Sequence, residues 1–219
     1  MKYLINKRFE TRVERTPRVL EIAEAFGLGL DSKEFVVFDN LELDIEQGEV
    51  VYITGESGGG KSLLLRELRA QMEAGGLDVV SIDEIELLDK PLIDQIGKTT
   101  NEGTNIMGMV GINDAYIWLR KPAQLSDGQR YRFRLAKAIE SQSKVWFADE
   151  FLAVLDRTVA VNVAFNMQKI ARSVGATLIV ATTHSDMVAD LAPTLQINKK
   201  YREKVQIVRT PEGFKSCEK

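Results

Sequence analysis

The chain has 219 residues, 44% hydrophobic and 28% charged, which suits one compact domain with a real core and excludes a disordered or low-complexity chain. A single cysteine, Cys217, excludes an internal disulfide, and no run of 18 apolar residues offers a bilayer span of the chain's own. The net charge of −3 hides two basic ends: residues 1–20 and 198–219 each carry +4, so the acidic excess lies between them. Basic ends suit either contact with nucleic acid or an acidic partner, or plain solvation. The opening MKYLINKRFE lacks the apolar core of a secretory signal, so a cytoplasmic location is expected.

In chain order, VLEIAEAF at 19–26 is ambiguous. Val19, Ile22, Ala23 and Phe26 fit one helical face, while a short apolar run also suits a strand. EFVVFDNLELDIEQGEVVYIT then predicts strand, a turn at Gln47-Gly48, and a strand over 50–54. DVVSI at 78–82, KVWFA at 144–148 and TLIVAT at 177–182 predict further strands. Their near-continuous apolar runs are the mark of parallel strands covered on both faces. Helices are predicted over Lys61–Ala74, with an apolar face at 64, 65, 68 and 72, over Asp127–Ser141, and over Thr158–Ser173. Strands alternating with helices give an α/β class. The glycine-dotted stretch from Asp83 to Gln124 is the least periodic.

GESGGGKS at 55–62, between a predicted strand and a helix, matches G-x-x-x-x-G-K-[ST]. Gly55, Glu56, Ser57, Gly58, Gly59 and Gly60 would curl backbone N–H groups around phosphate oxygens. Lys61 would reach the β- and γ-phosphates, the Ser62 hydroxyl would ligate Mg²⁺, and Leu63 continues the helix whose positive end faces the anion. VWFADE ends an apolar strand in two carboxylates. With the glycine loop present, Asp149 is expected to hold Mg²⁺ through water.

Together GESGGGKS, Gln95, LSDGQ at 125–129, VWFADE at 145–150 and His184 resemble, in that order, the ATP-binding cassette (ABC) class of P-loop ATPases. The resemblance covers about residues 18–200. It implies a P-loop NTPase of ABC type: a mostly parallel core over 18–82 and 143–200 with an N-terminal antiparallel β-subdomain, and a shortened helical subdomain over 83–142. Basic segments at 1–17 and 201–219 flank these. It would make 19–26 a strand of the antiparallel part. It implies ATP and Mg²⁺ as cofactors, Glu150 as the group that orients and deprotonates water, and His184 as a hydrogen-bond partner of the γ-phosphate. Gln95 would sense Mg²⁺ and water, with Gln71 and Gln124 as rivals. Ser126, Gly128 and Gln129 of the signature, where Asp127 replaces a glycine, would act in trans on a second subunit's nucleotide. Arg130, Arg132 and Arg134 would be structural or phosphate-facing. FLAVLD at 151–156 has Ala153 where the family has serine and keeps Asp156. An aromatic that stacks on adenine is assigned to Phe26, with Phe35 and Phe38 as alternatives.

Only 30 residues separate Gln95 from Leu125, fewer than in transporter-type members. With the basic ends, this favours an ATP-dependent homodimer, or pseudo-dimer with a related subunit, acting on nucleic acid or a soluble partner. Local text resembles prokaryotic ABC domains found beside acetyltransferase-like domains. The alternatives are the nucleotide-binding subunit of a transporter, whose membrane partner would bind near Gln95, and a slow ATP-gated regulatory module.

Overall fold

The computed structural model describes residues 1–31, 33–201 and 203–210. Cys217 and, of the basic C-terminal segment, Arg202, Lys215 and Lys219 lie outside them. The chain separates into two compact units, Lys2–Leu43 and Asp44 onward with Met1.

The smaller unit holds β1 (Lys2–Thr11), α1 (Pro17–Phe26) and β2 (Lys33–Asp44), with β1 and β2 paired in a two-stranded sheet. Asn6 meets Asn40 and Arg8 meets Asp39, so partner numbers fall on one strand as they rise on the other: the sheet is antiparallel. Residues 2–11 of the basic N-terminal segment are therefore a strand. Residues 19–26 are helical, not the strand that the resemblance implied. The local chemistry decides this. Thr16 caps the first turn by accepting from the Val19 N–H, Pro17 stands at the first helical position, and Gly27 closes the last turn.

The larger unit is a six-stranded sheet flanked by helices. Its elements are β3 (Val50–Thr54), α2 (Lys61–Ala74), β4 (Val79–Ser81), α3 (Thr100–Met109), α4 (Ala115–Trp118), α5 (Asp127–Ser141), β5 (Val145–Ala148), α6 (Arg157–Val174), β6 (Thr177–Ala181), α7 (Val188–Leu191), β7 (Leu195–Asn198) and β8 (Gln206–Arg209). The sheet order is β4-β5-β6-β3-β7-β8, parallel except for the β8 edge. β3, β5 and β6 are buried along their whole length, as continuous apolar runs require. The turn before β3 is tied down by the Gln47 carboxamide, which donates to the Lys144 and Gly175 carbonyls at 2.8 and 2.7 Å. No hairpin joins β2 to β3, since the two strands lie in different sheets.

α2 buries Leu64, Leu65, Leu68 and Met72, the face that its periodicity predicts. α6 buries Ala160, Val163, Ala164, Met167 and Ala171. α5 buries Tyr131, Phe133, Leu135, Ala136 and Ala138, and packs against α3 and the short turn Ile82–Glu84. β7 and β8 are not among the predicted strands. LQIN alternates buried and half-buried residues and QIVR is exposed throughout, so neither carries a long apolar run.

Phe133 is fully buried in the cluster that joins α5 to the sheet. Phe133→Ala is expected to destabilise the larger unit by about 3–5 kcal/mol through lost burial and a residual cavity. Urea unfolding followed by tryptophan fluorescence measures it.

Candidate nucleotide-phosphate site

Parallel strands point their carboxyl ends one way, and in open α/β sheets ligands bind in the crevice beyond those ends. Here the ends of β3, β5 and β6 converge on a cavity of about 260 Å³. Ser57, Gly58, Gly60, Lys61, Ser62 and Leu63 line it from the loop after β3 and the start of α2. Asp149 and Glu150 reach it from β5, Thr182 and Thr183 from β6, and Arg66 from α2.

The loop is held by close approach as much as by conformation. A Cβ on Gly55 would meet the Lys199 carbonyl oxygen at 1.9 Å, and Gly55 has a φ of 139°, which only glycine adopts readily. A Cβ on Gly59 would meet the same oxygen at 2.7 Å. Lys199 ends the β7 exit, its N–H donating to the Thr54 carbonyl at 2.9 Å. Its buried ammonium donates to the carbonyls of Lys200 and Glu203, which fixes the turn behind the loop.

Lys61 is only 9% exposed. Its ammonium donates to the Gly55 and Glu56 carbonyls at 2.8 Å each, leaving a third proton. Burial lowers its pKa, opposed by the charges of Asp149 and Glu150.

The carboxylate pair is fixed by three elements. The Asp149 N–H donates to Asp83 at 2.7 Å, the Phe151 N–H to the Ala181 carbonyl of β6 at 2.8 Å, and the Leu152 N–H to the Tyr131 hydroxyl of α5 at 3.3 Å. Glu150 itself stands at φ 46° and Leu152 at φ 63°, left-handed values that cost a non-glycine residue energy and persist only where the surroundings impose them. Burial raises the Asp83 carboxyl above its ordinary range; the Asp149 N–H pulls it down and the Asp149 charge pushes it up again.

Beyond β6, His184 follows the lining residue Thr183. Its N–H donates to the Thr182 hydroxyl, its carbonyl accepts from Tyr52, and its side chain is exposed. Burial pushes the Tyr52 phenol up to about 12.

Gln95 is not brought into the cavity. Its carboxamide accepts from the Leu88 N–H at 2.9 Å and donates to the Leu88 and Lys90 carbonyls, closing the loop over 88–95. Gln124 is likewise engaged locally, accepting from the Lys121 N–H. The residue beside Asp149 is Asp83, which the sequence reading missed. Its signal was positional: it lies two residues past β4, the strand that pairs with β5.

Ser126, Gly128 and Gln129 line no part of this cavity. Ser126 and Gln129 form a reciprocal cap at the start of α5, each side chain accepting from the other's N–H. A Cβ on Gly128 would press on Leu155 at 3.0 Å, so the turn sits against the segment after Glu150. The three arginines take structural partners: Arg130 pairs with Asp127, Arg132 donates to Gly111 and Gly128, and Arg134 to Ile85. In the smaller unit Phe26 ends α1 and is 72% exposed, while Phe38 is buried.

A strand, glycine loop and helix with this carboxylate pair also match known proteins. The sequence model of the family described as "ABC transporter" matches residues 38–106. The dimeric, post-hydrolysis ATP-binding cassette MJ0796 bound to ADP and Pi superposes with a TM-score of 0.67 over 96% of this chain and 100% of that one, at 17% identity. The chain has the ATP-binding cassette type of P-loop NTPase fold. Among curated relatives, the methionine import ATP-binding protein MetN of Haemophilus influenzae (strain 86-028NP) is 26% identical over 206 residues, 77% of this chain. The sulfate/thiosulfate import ATP-binding protein CysA of Nocardia farcinica (strain IFM 10152) is 27% identical over 213 residues, 81% of this chain. The chain spans 58% of that MetN and 62% of that CysA. Among the described residues no helix is long and apolar enough to cross a membrane.

Gly55→Ala is expected to cost about 3 kcal/mol or more, from overpacking on a backbone carbonyl plus a disfavoured φ. Gly58→Ala, at φ 75° with open space around its Cβ, should cost about 1–2 kcal/mol. Urea unfolding of both variants without nucleotide measures the difference; equal costs would mean that the Lys199 seat is unimportant.

Proposed function

We propose that this chain is the ATP-hydrolysing part of an ATP-driven importer, working as a head-to-tail pair around ATP and docked on a membrane subunit. The observation that carries the reading is the one the relatives supply: the curated proteins that it matches over 77% and 81% of its length are import ATP-binding proteins. They favour the transporter reading over the expected soluble partner or nucleic acid, and give an acetyltransferase-like neighbour no support.

Within the site, Lys61 and the N–H groups of the loop take the β- and γ-phosphates, where a buried, already desolvated ammonium binds an anion strongly. Among the described residues no cluster of three His, Cys, Asp or Glu holds a metal by itself. The Ser62 hydroxyl and the Asp149 carboxylate are instead the oxygen donors suited to Mg²⁺ shared with substrate phosphates. Bound there, the ion neutralises charge on the transferring phosphoryl group. Glu150, held rigid in its left-handed turn, orients and deprotonates the attacking water. His184 contacts the γ-phosphate. Ser126, Gly128 and Gln129 complete the partner copy's site.

The helical region over 83–142 is the docking part. Leu88, Tyr116 and Leu119 are exposed apolar side chains there. The loop closed by Gln95 lies beside α4, joined by the Leu92 N–H to the Arg120 carbonyl and by the Lys121–Asp89 ion pair. A membrane subunit's cytoplasmic segment fits this face.

Glu150→Gln should double in solution mass with ATP and Mg²⁺ and fall back without them; a monomer throughout would refute the head-to-tail pair. Lys61→Ala should lose ATP affinity, and unchanged affinity by calorimetry would refute the phosphate assignment. Detergent extraction of cells carrying the tagged chain should retain an integral membrane protein, and Leu119→Asp should release it. Retention of nucleic acid instead would restore the soluble reading.

A further inference from the structure

The carboxylates at the end of β5 need something to hold their backbone in place, and a side chain beyond β4 supplies it. β4 runs parallel to β5 with Val79, Val80 and Ser81 opposite Val145, Trp146 and Phe147. Carried two residues further, the same register sets Asp83 against Asp149, and the Asp83 carboxylate accepts from the Asp149 N–H at 2.7 Å. Helix α5 grips both sides of this contact. Arg134 lies within electrostatic reach of Asp83 and donates to the Ile85 carbonyl two residues on. Tyr131 accepts from the Leu152 N–H on the other side. Asp83 is thus the joint between α5, which opens at Ser126, and the backbone that carries Asp149 and Glu150. Gln95, whose carboxamide closes the 88–95 loop, makes no such contact.

We propose that Asp83 is the positioning residue for Asp149, setting the direction of the carboxylate toward the divalent ion and tying it to the position of α5. This rests on the nucleotide reading of the cavity. It predicts a particular split: loss of Asp83 disturbs the ion, not the grip of the loop on phosphate, because Gly55–Ser62 and Lys61 take no support from it.

The test is binding of Mn²⁺ to the ADP-loaded protein, read by electron paramagnetic resonance, alongside ADP affinity without a divalent ion, read by calorimetry. Asp83→Ala should weaken Mn²⁺ roughly 10- to 100-fold, the range seen when a partner behind a metal ligand is removed, with ion-free ADP affinity changed less than about two-fold. Asp83→Asn keeps an acceptor at the same reach and should recover to within about three-fold of the unaltered chain. Unchanged Mn²⁺ affinity in Asp83→Ala would overturn the assignment. So would an equal loss of ion-free ADP affinity, which would mean a general structural role. Should Asp83→Ala not fold, Asp83→Glu, one methylene too long, must weaken Mn²⁺ by at least about five-fold while Asp83→Asn does not; the reverse order overturns the assignment. If the unaltered chain binds no ADP, the nucleotide reading falls and Asp83's role falls with it. If it binds ADP and Mn²⁺ but ignores Asp83, only the latter is wrong.

Discussion

β3 is a five-residue strand with no exposed position, bonded on one side to β6 and on the other to β7, both parallel to it. A strand so enclosed cannot shift along its axis without breaking two ladders at once, so the residue after Thr54 starts from a fixed point. The Lys199 carbonyl then occupies the space that side chains at 55 and 59 would fill. The glycine loop is therefore moulded against β7 before any ligand enters. Gly55 and Gly59 are required by this backbone contact, whatever use their N–H groups have toward phosphate. A loop ordered in advance loses little conformational freedom on binding, and ordering costs of roughly 1–2 kcal/mol per residue make that a large saving over a loop of this length.

The opposite wall is built differently. Asp149 and Glu150 lie where β5 ends, with Glu150 in a backbone region that leucine or glutamate adopts only under constraint. The constraint comes from three directions: Asp83 beyond β4, Ala181 on β6 and Tyr131 on α5. No one of these elements belongs to the glycine loop. The cavity thus has one wall set by β3 and β7 and another set by β4, β6 and α5, with β6 laddered to β3 between them.

How much of this the amino-acid order discloses depends on the kind of interaction. Continuous apolar runs placed β3, β5 and β6 because burial on both faces leaves a composition signal, and the 64, 65, 68, 72 spacing placed α2 for the same reason. The predicted start of α5 at Asp127 is matched by a Ser126 cap, because capping is local chemistry. α1 was misjudged where the resemblance was given more weight than Thr16, Pro17 and Gly27, whose local signals were sound. β7 and β8 were silent, since an alternating four-residue strand and an exposed edge strand look like loop. Gln95 and Asp83 show the deeper limit. Both are polar residues in an aperiodic stretch, and only the β4–β5 register, a contact between residues over 60 positions apart, tells which one meets Asp149.

The cap on α5 bears on how the proposed pair would form. Ser126 and Gln129 satisfy each other's N–H groups within one chain, so neither side chain is unpartnered when the chain is alone. A phosphate arriving from a second copy would have to exchange neutral hydrogen bonds, worth about 0.5–1.5 kcal/mol each, for charge-assisted ones worth about 1.5–3. The net gain per contact is modest, and Asp127 in the same turn, paired with Arg130, places a negative charge near the incoming anion. An interface resting on that turn alone would be weak. Its strength would depend on ATP bridging both walls, which is how a pair that forms with the triphosphate is able to part once the γ-phosphate is gone.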